Sequence, residues 1–153
     1  MDMEIQDGIE LMQEIELNKE VQKMIYGYKI GSLWMIEKGI NILEEVQYEL
    51  TKHISGKIIL DMQKWGTDIP DIIIKQVNKV APYVDEIICA PFGAGSESLK
   101  TFSEACFLNN VKPISVVRMT HPNSDSYLKN GYALSIAEDS TRVGKIIIVG
   151  RAD

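Results

Sequence analysis

Short apolar runs rich in Ile and Val recur along the chain, and a helical pattern follows each run except the last. Apolar runs of this length, closed by turn-forming residues, are typical of buried strands. The pattern predicts strands over residues 25–30, 57–62, 86–90, 113–119 and 145–150. It predicts helices over residues 4–23, 33–53, 69–80, 96–109 and 125–142. Strands that alternate with helices pair in parallel, so we expect an α/β protein with either a doubly wound sheet or a TIM-type barrel.

The composition indicates one globular domain over residues 1–153, with 45% hydrophobic and 25% charged residues. The net charge of −6 gives no electrostatic basis for binding nucleic acid. No apolar run has the length of a membrane span, and no signal peptide opens the chain, so we expect a cytoplasmic protein. Cys89 and Cys106 lack the spacing of metal ligands, and both are predicted to be core residues in a reducing compartment.

The carboxyl end of the strand over residues 57–62 is the predicted site of chemistry. Parallel strands of α/β enzymes hold their functional groups at this edge of the sheet. Asp61 ends the apolar run, and Lys64 and Asp68 follow closely enough to share the edge. Carboxylates and ammonium groups that are crowded together shift one another's pKa values, as proton transfer requires. The alternative is a strand that simply enters a polar loop.

Six short motifs lie near the predicted strand ends. They are Met1-Asp2-Met3, Tyr28-Lys29-Ile30-Gly31, the stretch from Asp61 to Pro70, Phe92-Gly93-Ala94-Gly95-Ser96, Met119-Thr120-His121-Pro122, and the stretch from Ile147 to Ala152. In order and spacing they resemble the orotidine 5′-phosphate decarboxylase family, and the third is similar to its Asp-x-Lys-x-x-Asp-Ile-Pro signature. The resemblance implies a TIM (β/α)8-type barrel. Since such a barrel takes about 250 residues, the one here is expected to be incomplete, with about five to six βα units.

The resemblance implies that orotidine 5′-monophosphate is decarboxylated to UMP, in pyrimidine biosynthesis, without a metal or cofactor. Asp61 would face the substrate carboxylate, and Lys29 would hold Asp61 ionised. Lys64 would stabilise the carbanion at C6 and protonate it. Asp68 would reach into the site of a neighbouring subunit, because the family is dimeric.

The resemblance also implies three substrate contacts. Asp2 would hold the ribose, the hydroxyl of Thr120 would contact the pyrimidine edge, and Arg151 would take the phosphate. The last strand fits the sixth position of the barrel by its distance from His121, whereas its motif fits the eighth, and both positions stay open at this point.

One departure from the family pattern concerns the proton donor. In the family, the Asp and Lys are two residues apart and therefore face the same side of the strand. Here Gln63 stands two residues after Asp61, and Gln cannot supply a proton. Lys64 needs a backbone bulge at Lys64-Trp65-Gly66 to point inward.

Two alternative functions remain at this stage. The chain could be a non-catalytic remnant that binds a nucleotide or only a partner subunit, as Gln63 and the short length suggest. It could also be a relative of the hexulose-phosphate synthases, which share the Asp-x-Lys strand and work with Mg²⁺.

Overall fold

The structure is a computed structural model that describes residues 3–53, 56–62, 68–89, 95–119 and 146–150. One or two helices lie between successive strands up to residue 119, which confirms the predicted α/β class, and the helix predicted over residues 125–142 lies outside the described residues. The helices are α1 (Ile5–Leu17), α2 (Lys19–Met24), α3 (Ser32–Lys38), α4 (Asn41–His53), α5 (Pro70–Val80) and α6 (Gly95–Leu108), with a short 3-10 turn at Ala81–Tyr83. The strands are β1 (Gly27–Ile30), β2 (Lys57–Asp61), β3 (Glu86–Cys89), β4 (Lys112–Met119) and β5 (Ile146–Gly150). No helix in the described ranges combines the length and the apolar character that a membrane crossing would need.

The five strands form one sheet in the order β1-β2-β3-β4-β5, and every neighbouring pair is parallel. Each strand from β1 to β4 therefore pairs with the next strand of the described residues. Because β5 pairs directly with β4, it occupies the place of the next strand around a barrel. This pairing favours the sixth position for the last strand over the eighth.

Two of the predicted helices are interrupted. Asn18 separates α1 from α2, and its side chain caps α2 by accepting a hydrogen bond from the backbone N–H of Val21 at 3.2 Å. Gly39 ends α3 with a φ of 65°, a left-handed conformation that favours glycine. The single helices predicted over residues 4–23 and 33–53 were therefore wrong, because an amphipathic pattern continues across a break that only the backbone defines.

The core lies between the sheet and its helices. Alternate strand residues face the helices, as period-two side chains must, and they are fully buried together with the inner faces of the helices. Large side chains of this core include Trp34, Phe102, Met12, Ile30, Leu43, Leu60 and Ile87. Cys89 and Cys106 are both buried in it, which confirms their predicted place.

The other face of the sheet carries polar residues at both of its ends. On β2, Ile59 lies between Lys57 at the amino end and Asp61 at the carboxyl end. The register pairs Ile59 with Lys29 of β1 on one side and with Glu86 of β3 on the other. Apolar side chains thus separate two groups of polar residues, one at the amino ends of the strands and one at their carboxyl ends.

Candidate functional site

Lys29 and Asp61 form an ion pair at the carboxyl edge of the sheet. The Lys29 Nζ lies 2.6 Å from the Asp61 Oδ2, although the two residues are 32 positions apart in the sequence. The parallel pairing of β1 with β2 brings them together, since both side chains point to the face opposite the helices. The Asp61 side chain is 7% exposed and that of Lys29 is 48% exposed. The site is therefore a buried carboxylate whose ammonium partner opens to solvent.

The second oxygen of Asp61 is buried and has no hydrogen-bond partner in the part of the chain that the structure describes. A buried carboxylate oxygen without a donor is costly, and ion pairing of the first oxygen does not satisfy the second. Among the described residues, the site therefore has one acceptor that no donor contacts. It can receive a second cation or a hydrogen-bond donor, and it opposes the approach of another anion.

Asp68 lies just before α5 and is held by contacts of its own. Its Oδ1 accepts a hydrogen bond from the backbone N–H of Ile69 at 2.8 Å, and its carbonyl oxygen accepts one from the Ser98 hydroxyl at 3.1 Å. The residue is exposed. Of the residues predicted from the sequence, the structure thus brings Lys29 and Asp61 together and fixes Asp68 separately at the start of α5.

Four other predicted site residues, Asp2, Lys64, Thr120 and Arg151, lie outside the described residues, as does the predicted bulge at Lys64-Trp65-Gly66. Their roles stay predictions. Within the described ranges, no group of three or more His, Cys, Asp or Glu side chains converges as metal ligands would.

A second polar cluster, which the sequence analysis missed, lies at the amino edge of the sheet. Glu86 is fully buried, and its Oε1 accepts hydrogen bonds from the Tyr26 hydroxyl, from Lys57 Nζ at 3.4 Å and from Lys112 Nζ at 3.3 Å. Hydrogen bonding to Tyr26, and then to Glu86, raises the pKa of Lys57 above its usual value. The sequence did contain a signal for this cluster, because Lys57, Glu86 and Lys112 are each the first residue of a strand. We call Tyr26, Lys57, Glu86 and Lys112 the floor cluster.

Ser98 is a further polar contact that the sequence analysis missed. A serine in the first turns of a helix is common because its hydroxyl can hydrogen-bond backbone groups nearby. Nothing in the sequence shows that the acceptor is a carbonyl 30 residues earlier.

Comparison with known proteins connects the chain to one group of enzymes. It is 28% identical over 137 residues to an orotidine 5′-phosphate decarboxylase of Methanococcus maripaludis strain S2, and 27% identical to that of strain C6. These alignments cover 90% of the chain and 58% of the curated relatives. The chain thus spans little more than half the length of the relatives it matches. No protein-family model matches it.

Solved structures show the same relation in the fold. The orotidine 5′-monophosphate decarboxylase of Methanocaldococcus jannaschii, in complex with the inhibitor BMP, superposes with a TM-score of 0.72 at 21% identity. The superposition covers 92% of this chain and 59% of the Methanocaldococcus jannaschii chain. The enzyme of Sulfolobus solfataricus gives a TM-score of 0.69 at 20% identity. These likenesses confirm the predicted barrel type and its incompleteness. In sequence and in fold, the chain is therefore similar to part of the orotidine 5′-phosphate decarboxylases.

Proposed function

We propose that this chain decarboxylates orotidine 5′-monophosphate to UMP, in pyrimidine biosynthesis, as a cytoplasmic homodimer. The observation that carries the proposal is the ion pair between Lys29 and Asp61, with its 2.6 Å contact at the carboxyl edge of a parallel sheet. The names of the curated relatives support the reaction class.

In the proposed reaction, the bond from C6 of the pyrimidine to the carboxylate breaks and CO₂ leaves. The electron pair stays on C6, which then takes a proton from an ammonium group. Asp61 faces the substrate carboxylate and disfavours the ground state, while the ammonium stabilises the charge that develops on C6. Lys29 orients the Asp61 carboxylate through the contact to Oδ2.

The pairing of Lys29 supports the assignment of a different residue as proton donor. Lys29 contacts one oxygen of Asp61, and the buried second oxygen has no partner among the described residues. A second cation beside Asp61 would satisfy that oxygen. We assign this place to Lys64, which stands three residues after Asp61 in the sequence.

The position of Asp68 supports its proposed role across a dimer interface. The residue is exposed, and its neighbour Ile69 is a large apolar side chain that is 63% exposed. Both side chains are therefore accessible to a second subunit. We also propose that the substrate's ribose, pyrimidine and phosphate contact Asp2, Thr120 and Arg151 in that order.

The test is turnover of orotidine 5′-monophosphate, measured as UMP formed and CO₂ released. Asp61→Asn keeps the shape of the side chain and removes its charge, so we expect it to lower kcat/KM at least about 100-fold. Lys64→Ala should remove nearly all turnover, because the proton donor and the charge stabiliser are lost together. Glu97→Gln, at an exposed carboxylate in the first turn of α6, is the matched control and should leave turnover unchanged. Full activity of Asp61→Asn would refute the proposal.

A non-catalytic remnant is the second candidate, and Gln63 favours it, because this residue stands two positions after Asp61 and cannot supply a proton. Calorimetry with UMP separates the two candidates, because a remnant binds the nucleotide without turning over the substrate. Loss of turnover on addition of EDTA would instead indicate the Mg²⁺-dependent branch.

A further inference from the structure

Ser98 makes a contact that its position in a helix does not require. It lies in α6, is 5% exposed, and donates a hydrogen bond to the carbonyl oxygen of Asp68 at 3.1 Å. Another serine of the same helix shows the ordinary behaviour, since Ser103 donates to the carbonyl of Leu99 one turn earlier at 2.7 Å. Ser98 therefore joins α6 to the segment that ends at the start of α5.

The carbonyl that Ser98 binds belongs to the peptide unit between Asp68 and Ile69. The N–H of that same peptide unit donates to the Asp68 carboxylate at 2.8 Å. Because a peptide unit is planar and rigid, fixing its carbonyl also fixes the direction of its N–H. The Ser98 hydroxyl thus orients the Asp68 carboxylate through one rigid plane.

The support on which Ser98 stands is itself firmly held. Helices α5 and α6 pack against each other. At their far ends, the side-chain amide of Asn109 donates to the Asn78 side chain at 2.8 Å. The helix pair is therefore joined near both ends, so that a shift of Asp68 relative to α6 would break a specific contact.

We propose that Ser98 is a positioning residue that holds the Asp68 carboxylate in the orientation used by the site. This inference rests on the proposed function, in which Asp68 acts on the substrate. Removal of the hydroxyl frees the peptide plane to rotate, and the carboxylate loses its fixed direction. One hydrogen bond of this kind corresponds to about a tenfold effect on the step that depends on it.

The experiment is a double-mutant cycle on the full chain, with kcat and KM measured for orotidine 5′-monophosphate. Ser98→Ala should lower kcat/KM about tenfold. The loss should appear in whichever of kcat and KM the Asp68→Ala substitution changes. Ser98→Thr keeps the hydroxyl, so it should retain most of the wild-type kcat/KM. In the Asp68→Ala background the Ser98 substitution should have no further effect, since Ser98 acts through Asp68. Ser103→Ala is the matched control at a buried serine of the same helix and should leave both parameters unchanged.

Three results would overturn the role of Ser98. Unchanged kinetics of Ser98→Ala would do so, as would a loss that persists in full in the Asp68→Ala background. If Ser98→Ala does not fold, Ser98→Cys keeps the volume and weakens the donor, and normal kinetics of that variant would be equally decisive. A wild-type chain that neither turns over nor binds the nucleotide would instead refute the proposed function, and this inference with it.

Discussion

In the floor cluster the carboxylate is buried and the lysines are not. We therefore predict that removing the carboxylate and removing the lysines change the free energy of unfolding by different amounts. Glu86 is fully buried, whereas the side chains of Lys57 and Lys112 are 44% and 35% exposed. Two variants remove the ion pairs, one by replacing the carboxylate and the other by replacing the lysines. Glu86→Leu removes the buried charge, and Lys57→Met combined with Lys112→Met leaves that charge without its ionic partners.

The expected magnitudes follow from the distances. At 3.3–3.4 Å, each ion pair contributes about 5 kcal/mol of attraction at an effective dielectric constant of about 20, and exposure of the lysines reduces this value. Burial of the carboxylate costs several kcal/mol in return. Glu86→Leu removes both contributions, so we expect the free energy of unfolding to change by less than about 1 kcal/mol. The double lysine variant removes only the attraction and should lose about 3 kcal/mol or more.

The assay is urea unfolding at neutral pH, followed by tryptophan fluorescence and extrapolated to zero denaturant. Lys100→Met is the control, because Lys100 and Glu104 form an exposed pair at 3.8 Å that should contribute nothing measurable. If Glu86→Leu lowered stability more than the double lysine variant does, the floor cluster would be a net source of stability. The reasoning from desolvation would then be wrong.

Further predictions concern single residues of β1 and the turn after α3. Tyr28→Phe should raise the free energy of unfolding by about 1 kcal/mol, because the Tyr28 hydroxyl is buried and has no hydrogen-bond partner among the described residues. Burial also raises the pKa of Tyr28, so the phenol ionises first in the unfolded chain. The free energy of unfolding of the wild type should therefore fall as the pH rises above 10.0. Urea unfolding between neutral and alkaline pH should show that Tyr28→Phe lacks this part of the pH dependence. Gly27→Ala should cost at least about 2 kcal/mol, since its Cβ would lie 2.6 Å from the carbonyl oxygen of Lys57. Gly39→Ala meets open space and only a strained φ, so thermal unfolding should show a loss of about 1 kcal/mol, and equal losses at the two glycines would contradict this steric argument.

The strands were predictable from the sequence, and the interruptions of the helices were not. Apolar runs such as Ile58-Ile59-Leu60 that are closed by turn-forming residues are typical of the strands of a parallel sheet, so they indicated where the strands lie. The break at Gly39 depends on a single left-handed residue, while the apolar spacing continues on either side of it. The alternation predicted the α/β class, but the place of β5 beside β4 depends on pairing, which no local pattern encodes.

The candidate site was predictable to the extent that it follows strand ends. Asp61 and Lys29 stand at or near the ends of neighbouring parallel strands, and the resemblance supplied their pairing. The contact of Ser98 with Asp68 joins a residue of α6 to one just before α5, so it arises from the packing of α5 against α6. The charges of the floor cluster were visible at three strand starts, but their convergence on one oxygen of Glu86 depends on the register of β2, β3 and β4.

The identity of strand order and chain order has a consequence for synthesis on the ribosome. Among the described residues, each strand from β2 to β5 pairs with the strand that precedes it, so a newly emerged strand finds its docking edge already in place. Folding can therefore advance from the amino terminus while translation continues. At every stage the youngest strand presents unpaired backbone groups, which are a template for pairing with another chain. The growing edge is thus the part of the nascent protein with the greatest need of a chaperone, and slow translation would lengthen its exposure.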